Sequence, residues 1–501
     1  MLTMFAAAAL ASVVSASNCG ALTGFTDENA RIASAEFVPA GPFTAPANAG
    51  ANANNDREPV PAHCRVKMVL TPTAESNINV ELWLPAEEWN GKFLAVGNGG
   101  WAGLIQGYGD MRVALRRGYA TAGTDTGHSP ADGPNGMFAL GNDEKLVDFA
   151  YRAIHEMAEK SKALITQAYG AAAEYSYFKG CSTGGRQGLM SAQRYPEDFD
   201  GIIAGAPANR HIRMHVAQSY LHIFNNRNPE YANSYQYTAD LINRSVLRQC
   251  DALQEGFLNE PRQCDFDFHD IECSREAGDS SFSESCLWEH QTLETIDYYG
   301  DGLRTSNGET VFPGQAFGSP IPRLPFDFQP PEPFLFDTIR ILGFQNPNYN
   351  WRDFDLDRDL PLIEERAGFV DAADPDLRAF EANGGKLLMY HGWMDAAISP
   401  RNSTQYYESV IQEMGPEQDD WLKLYMVPGM GHCSGGPGPH EFELLTVLED
   451  WREKDRAPDA ITARNPESDL TRPLCPYPQT AAYDGRGDIK NARNWNCEAF
   501  P

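Results

Sequence analysis

Basic charge, long apolar runs and closely spaced cysteine pairs are all scarce in this sequence. Basic side chains number 40 against 69 acidic ones, a formal charge of −29. That field repels nucleic acid and anionic membranes and favours solubility, so neither is an expected partner. It does not identify a substrate. Beyond Val14 no run is long and apolar enough to span a bilayer, which takes about 20 residues. No two cysteines form a Cys-x-x-Cys pair, which argues against zinc. No internal repeat is visible. What remains is ordinary for a globular chain: 501 residues, 42% hydrophobic and 22% charged, enough for one large domain with an insertion or for two domains.

The chain begins MLTMFAAAALASVVSAS. Its apolar segment from Leu2 to Val14 ends in Val14-Ser15-Ala16, small at the positions a signal peptidase reads. About thirteen apolar residues are too few for a membrane anchor, so residues 1–16 read as a cleaved secretory signal. The missing Lys or Arg before the segment is a mild departure. Ten cysteines, at 19, 64, 181, 250, 264, 273, 286, 433, 475 and 497, suit an oxidising compartment, though spacing alone does not settle their pairing. Asn243-Arg244-Ser245 and Asn402-Ser403-Thr404 are glycosylation acceptors, consistent with secretion but weak as motifs. A secreted, extracellular, disulfide-bonded protein is the expectation.

The chemistry centres on Tyr175–Ala208. A β-prone run from Tyr175 to Lys179 meets Gly180-Cys181-Ser182-Thr183-Gly184-Gly185, and a helix-compatible stretch follows from Arg186 to Tyr195. A strand, a sharp glycine turn with Ser at its apex and a helix make the layout of a nucleophile elbow. Glycine makes up 44 of the residues, so a chance Gly-x-Ser-x-Gly is the bland alternative; the strand before and the helix after weigh against it.

Around this stretch the pattern alternates. Residues 17–62, rich in Ala, Asn and Pro, read as a loosely structured lead-in. Arg65–Leu70 and Asn79–Leu84 read as a hairpin, and Lys92–Val96 as a buried strand running into Gly97-Asn98-Gly99-Gly100-Trp101. A glycine cluster after a strand can be a plain loop; beside an elbow it is a natural second half of an oxyanion hole. Tyr119–Thr124 is a strand, and Asp143–Tyr169 has helical spacing until Gly170. With the strand Gly201–Ala204, this alternation argues for an α/β fold with a mostly parallel sheet. From about Asn209 to Phe380 the alternation breaks into aromatics, cysteines and proline runs such as Pro320–Pro333, as expected of a lid insertion. It resumes with Lys386–Tyr390, Leu422–Val427 and a helix over Glu441–Lys454. The expected organisation is a signal at 1–16, core at 17–208, lid at 209–380, and core with tail at 381–501.

A serine nucleophile needs a base, and the base needs an acid to fix its tautomer. KLLMY runs into His391-Gly392-Trp393-Met394-Asp395, and LKLYMV into Pro428-Gly429-Met430-Gly431-His432-Cys433. Both candidates therefore follow strand ends, where α/β sheets carry their sites. Ser182, Asp395, His432 is also the chain order of α/β-hydrolases. His391 as base and Asp125 as acid remain alternatives, with His128 and His155 as structural histidines. Cys181 directly precedes Ser182 and Cys433 directly follows His432. A bridge between them would clamp nucleophile to base and restrict the unfolded chain by roughly 5 kcal/mol at most. Two free thiols are the weaker alternative.

GCSTGG, HGWMD and GMGHC together resemble the tannase and feruloyl esterase family, and the resemblance extends to DTGHS at 125–129, DFAYRAIH at 148–155 and the cysteine-rich insertion. It implies an α/β-hydrolase core with an inserted lid, and hydrolysis of aromatic-acid esters, free or on a plant polymer. By position it implies Ser182 as nucleophile, His432 as base and Asp395 as acid. Thr183 with Gly99 or Gly100 would form the oxyanion hole. It also implies the bridges Cys181–Cys433, Cys19–Cys64, Cys250–Cys264, Cys273–Cys286 and Cys475–Cys497. One departure concerns calcium, which family members often hold in an Asp-rich lid loop. Here the equivalent stretch after Cys250 is short, with Gln254 where an Asp is expected. Asp251 and Glu255 supply too few of the six to eight oxygens calcium takes, so the expectation is a weakened or lost site and no required cofactor. Feruloyl-type esters come first, galloyl esters second and other aromatic monoesters third. A non-catalytic binding protein on a hydrolase fold is the reading from another class.

Overall fold

The computed structural model describes residues 14–46, 49, 58–227, 235–273, 286–287, 300, 302–320 and 331–500. Residues 1–13 of the expected signal and 321–330 of the proline run lie outside these. The chain divides into two compact units, Met1–Gly133 with Asn142–Lys179 and Glu197–Asp200, and Pro134–Gly141 with Gly180–Pro196 and Gly201–Pro501.

The first unit contains α1 (Ala16–Ala21), β1 (Ala30–Val38), β2 (His63–Leu70), β3 (Ile78–Pro85), β4 (Lys92–Val96), α2 (Tyr108–Arg116), β5 (Ala120–Thr124), α3 (Asp143–Val147), α4 (Ala153–Tyr169) and β6 (Tyr175–Cys181). Its strands lie in the order β1-β2-β3-β5-β4-β6. The expected hairpin is β2 with β3, paired from His63 opposite Pro85 to Leu70 opposite Ile78. The pairs β1/β2, β2/β3 and β3/β5 are antiparallel, while β4 runs parallel to β5 and β6. The sheet is thus less parallel than the βα alternation suggests, because its early strands follow one another without crossover helices. The lead-in differs from expectation in one respect, since β1 is a nine-residue strand on β2; its Cys19 is bridged to Cys64 as the resemblance implies. Pairing with β2 supplies order that its Ala- and polar-rich composition does not advertise. The helix expected over Asp143–Tyr169 is interrupted by a wide turn at Asp148–Arg152, where buried Asp148 accepts from Arg152 and Ser76. Trp83, Phe93, Phe149, Met157 and Leu164 are buried here.

The second unit contains α5 (Thr183–Arg194), β7 (Gly201–Gly205), α6 (His211–Arg227), α7 (Tyr235–Cys250), β8 (Leu303–Arg304), β9 (Thr310–Phe312), α8 (Pro333–Asp337), α9 (Leu356–Ala367) and α10 (Arg378–Ala382). Then come β10 (Lys386–Gly392), α11 (Pro400–Met414), β11 (Leu422–Val427), α12 (Leu445–Lys454), β12 (Ile461–Asn465), β13 (Leu470–Leu474), β14 (Thr480–Tyr483) and β15 (Trp495–Glu498). Strands β7, β10 and β11 are neighbours in that order and parallel throughout. Each is buried along its length or nearly so, the signature of a strand covered on both faces. The tail forms two hairpins, β12/β13 and β14/β15.

Candidate active site

Strand β6 ends at Cys181 and α5 begins at Thr183, leaving Ser182 alone at the turn with φ +63° and ψ −122°. A non-glycine residue there is strained by roughly 1–3 kcal/mol and is held by its surroundings. The Ser182 N–H donates to Gly205 O at 3.0 Å, while its carbonyl accepts from Ala208 and Arg186, both at 3.1 Å. The glycines are a steric requirement. A Cβ on Gly180 would lie 2.5 Å from the carbonyl of Gly184, and one on Gly185 would lie 2.4 Å from Gly205 O. The hydroxyl thus stands at the N-terminus of a twelve-residue helix, where backbone dipoles favour developing negative charge.

The candidate acid and base are joined by a hydrogen bond. Asp395 is fully buried, and its Oδ2 lies 2.7 Å from Nδ1 of His432, whose side chain keeps about a third of its exposure. Oδ1 accepts the N–H groups of Ala397 at 2.8 Å and Ile398 at 2.9 Å. Burial pushes the carboxyl upward, but hydrogen bonds from His391 and His432 outweigh it and hold Asp395 well below the usual carboxylate range. Its loop is tied to the His432 loop by Trp393 N–H to Val427 O and Met394 N–H to Met430 O, both at 2.9 Å. A Cβ on Gly392 would come within 2.2 Å of Met430 O, so only glycine permits this approach.

All five bridges occur as the resemblance implied them. Cys181–Cys433 holds its Cα atoms 6.0 Å apart across 252 residues, joining the immediate neighbours of Ser182 and His432.

The alternatives fall elsewhere. His391 is fully buried, with Nε2 3.0 Å from Asp395 Oδ2 and Nδ1 2.7 Å from Ser403 Oγ. It stands fully enclosed beside Asp395, and its link to Ser403, twelve residues away, leaves no mark in the sequence. Asp125 accepts from Asn79 and Gly127, His128 is 2.7 Å from Trp101 O, and His155 pairs with Asp198. Of the two loop glycines, Gly99 already donates its N–H to Gln106 Oε1 at 2.7 Å. Gly100 has φ +55° and belongs to the first unit.

The loop expected to be poor in calcium ligands has its carboxylates otherwise engaged. Asp251 accepts the N–H groups of Glu255 and Gly256, and Glu255 accepts from Asn259 and, at 2.6 Å, from buried Arg472. A guanidinium stacked 3.4 Å from the Trp495 ring centre occupies the Glu255 carboxylate, so these residues do not fit a calcium ion. Of the two sequons, Asn402 is fully buried and donates to Pro207 O and Asn209 Oδ1, which leaves no room for a glycan. Asn243 is half-buried on α7.

Comparison with known proteins places the chain in a family. The family model described as tannase and feruloyl esterase matches residues 64–322 and 331–498. An uncharacterized esterase of Xanthomonas campestris pv. campestris is 32% identical, covering 100% of this chain and 94% of the relative. A probable feruloyl esterase B-2 of Aspergillus terreus is also 32% identical, over 94% of this chain and 92% of the relative. The crystal structure of feruloyl esterase B from Aspergillus oryzae superposes with a TM-score of 0.85 at 28% identity, covering 96% of this chain and 100% of the other. With an α/β-hydrolase arrangement of strands, a serine elbow and matches along nearly its whole length, the chain belongs to the tannase and feruloyl esterase family of carboxylic ester hydrolases.

Proposed function

We propose that this enzyme hydrolyses esters of aromatic acids, hydroxycinnamoyl esters first, with Ser182, His432 and Asp395 as its triad. The observation that carries the reading is the strained Ser182, bridged through Cys181–Cys433 to the neighbour of a histidine that is hydrogen-bonded to a buried, ionised Asp395. Ser182 Oγ attacks the ester carbonyl as its proton passes to His432 Nε2. The oxyanion takes a hydrogen bond from the Thr183 N–H and, by the sequence pattern, a second from Gly100. The C–O bond to the alcohol then breaks, and His432 returns the proton to the leaving oxygen while Asp395 stabilises the imidazolium. Water repeats the cycle on the acyl-enzyme and frees the acid. The triad steps call on no metal.

Residues 209–380 act as a lid whose aromatic and proline side chains offer an apolar slot for a phenolic ring. The enzyme is exported with loss of residues 1–16 and carries its glycan, if any, at Asn243. Among the described residues no helix is long and apolar enough to cross a membrane. The partner is a small aromatic ester or such an ester on a plant polymer, not nucleic acid.

The test is hydrolysis of methyl ferulate, methyl gallate and propyl gallate side by side, with Ser182→Ala as control. Ferulate cleavage lost by at least about 10³-fold in the variant supports the reading. Preferential cleavage of the gallates reassigns the substrate to galloyl esters. Undiminished activity in Ser182→Ala removes the triad.

A further inference from the structure

One carboxylate oxygen here serves two histidines. Asp395 Oδ2 lies 2.7 Å from His432 Nδ1 and 3.0 Å from His391 Nε2. His391 is the penultimate residue of β10, four residues before Asp395, and it has no exposed surface. We propose that His391 is a positioning residue of the esterase reaction, holding Asp395 in the one orientation that serves His432. The proposal rests on the triad reading above.

The surroundings settle which ring nitrogen carries hydrogen. Nε2 faces two acceptors, Asp395 Oδ2 and, at 3.2 Å, Ile398 O, so it must be the donor. Nδ1 faces Ser403 Oγ at 2.7 Å, on α11 and itself fully buried. His391 Nε2–H and His432 Nδ1–H thus converge on the same carboxylate oxygen, while Ser403 Oγ anchors the far side of the His391 ring.

The geometry around Asp395 explains why a donor belongs there. Its Oδ1 is held by the Ala397 and Ile398 N–H groups, and its own carbonyl accepts from Ser319 Oγ at 3.1 Å. Without His391, Oδ2 would depend on His432 alone, and His432 sits on a partly exposed loop. His391 therefore fixes the carboxylate from the rigid side, the end of a buried strand, so that the base adapts to a stationary acid.

The experiment measures the rate of Ser182 phosphonylation by a fluorophosphonate probe across pH, per labelled site, which needs no knowledge of the natural ester. The variants are His391→Leu, His391→Gln and Ser403→Ala, with wild type and Ser182→Ala as references. In His391→Leu the rate is expected to fall about 10–100-fold. The acidic limb of its pH profile moves to higher pH, because a carboxylate relieved of a competing donor holds the His432 proton more tightly. His391→Gln, whose amide can donate from nearly the same place, is expected to recover most of the rate, and Ser403→Ala to lie between. A rate per site and a pH profile equal to wild type in His391→Leu would overturn the proposal, even with less folded protein, because that marks a packing role. Equal losses in the Gln and Leu variants overturn it too. Wild type that labels no faster than Ser182→Ala removes the triad reading itself, a separate failure. If the Leu variant does not fold, the Gln and Ser403→Ala rates and profiles decide between the same outcomes.

Discussion

At the scale of single residues, the elbow depends on atoms that are missing as much as on those present. Gly180 admits no side chain, because its Cβ would sit 2.5 Å from the backbone of Gly184. Gly180→Ala is therefore expected to cost about 1–3 kcal/mol through forced backbone shifts. It should also slow probe labelling of Ser182; a melting scan with labelling kinetics checks both. A second residue-scale prediction concerns acid stability. Burial pushes His128 down to about 4, although its bond to Trp101 O works the other way. A depressed histidine contributes stability that is fully present above its unfolded value near 6.5 and is lost as pH falls through 4, in all about 3 kcal/mol. His128→Gln keeps a donor for Trp101 O without the titration. Its melting temperature should fall less than that of wild type between pH 6.5 and 4, and parallel curves would refute this.

At the scale of elements, two crosslinks hold loops together that sequence distance keeps apart. Cys181–Cys433 spans 252 residues, and removing it as Cys181→Ser/Cys433→Ser should release up to about 5 kcal/mol of denatured-state restriction. Ser182 labelling should fall further than stability does, because the bridge also aligns serine and histidine. Labelling kinetics beside denaturant unfolding separate the two effects. The second crosslink is the Glu255–Arg472 pair, which joins the Cys250–Cys264 loop to β13 beneath Trp495. Arg472→Met strands a nearly buried carboxylate and should cost about 3–5 kcal/mol, whereas adding Glu255→Gln should restore much of it. In wild type neither a chelator nor added calcium should move the melting temperature, because these carboxylates already have their donors. The individual core strands, the elbow and both strand ends bearing Asp395 and His432 were legible, because each rests on local pattern; the antiparallel pairing of β3 with β5 was not. Strand β1 was not, since its order comes from pairing with β2 rather than from its own residues. The wide turn at Asp148–Arg152 was hidden for a similar reason: a buried ion pair inserts there without disturbing the helical periodicity.

At the scale of the whole molecule, the proposed export makes a direct prediction. Protein recovered from culture medium should begin at or near Ser17, read by intact mass or N-terminal sequencing, with Cys19 bridged to Cys64 immediately behind the new terminus. An intact residue 1–16 segment on secreted protein would contradict the signal reading. The sequence alone determined the hydrolase class and the strand, turn and helix around Ser182, placed Asp395 and His432 after their strands, and, through family resemblance, implied all five bridges. Those are properties of spacing along the chain, where glycine at a turn and chemistry after a strand leave their own trace. Tertiary structure alone decided what each side chain does with its neighbours. It put His391 against Asp395 and Ser403, gave Glu255 an arginine partner, and enclosed Asn402 among hydrogen bonds. These outcomes depend on hydrogen bonds between residues distant in sequence or on complete burial, and neither is encoded in the identity of one residue or the few beside it.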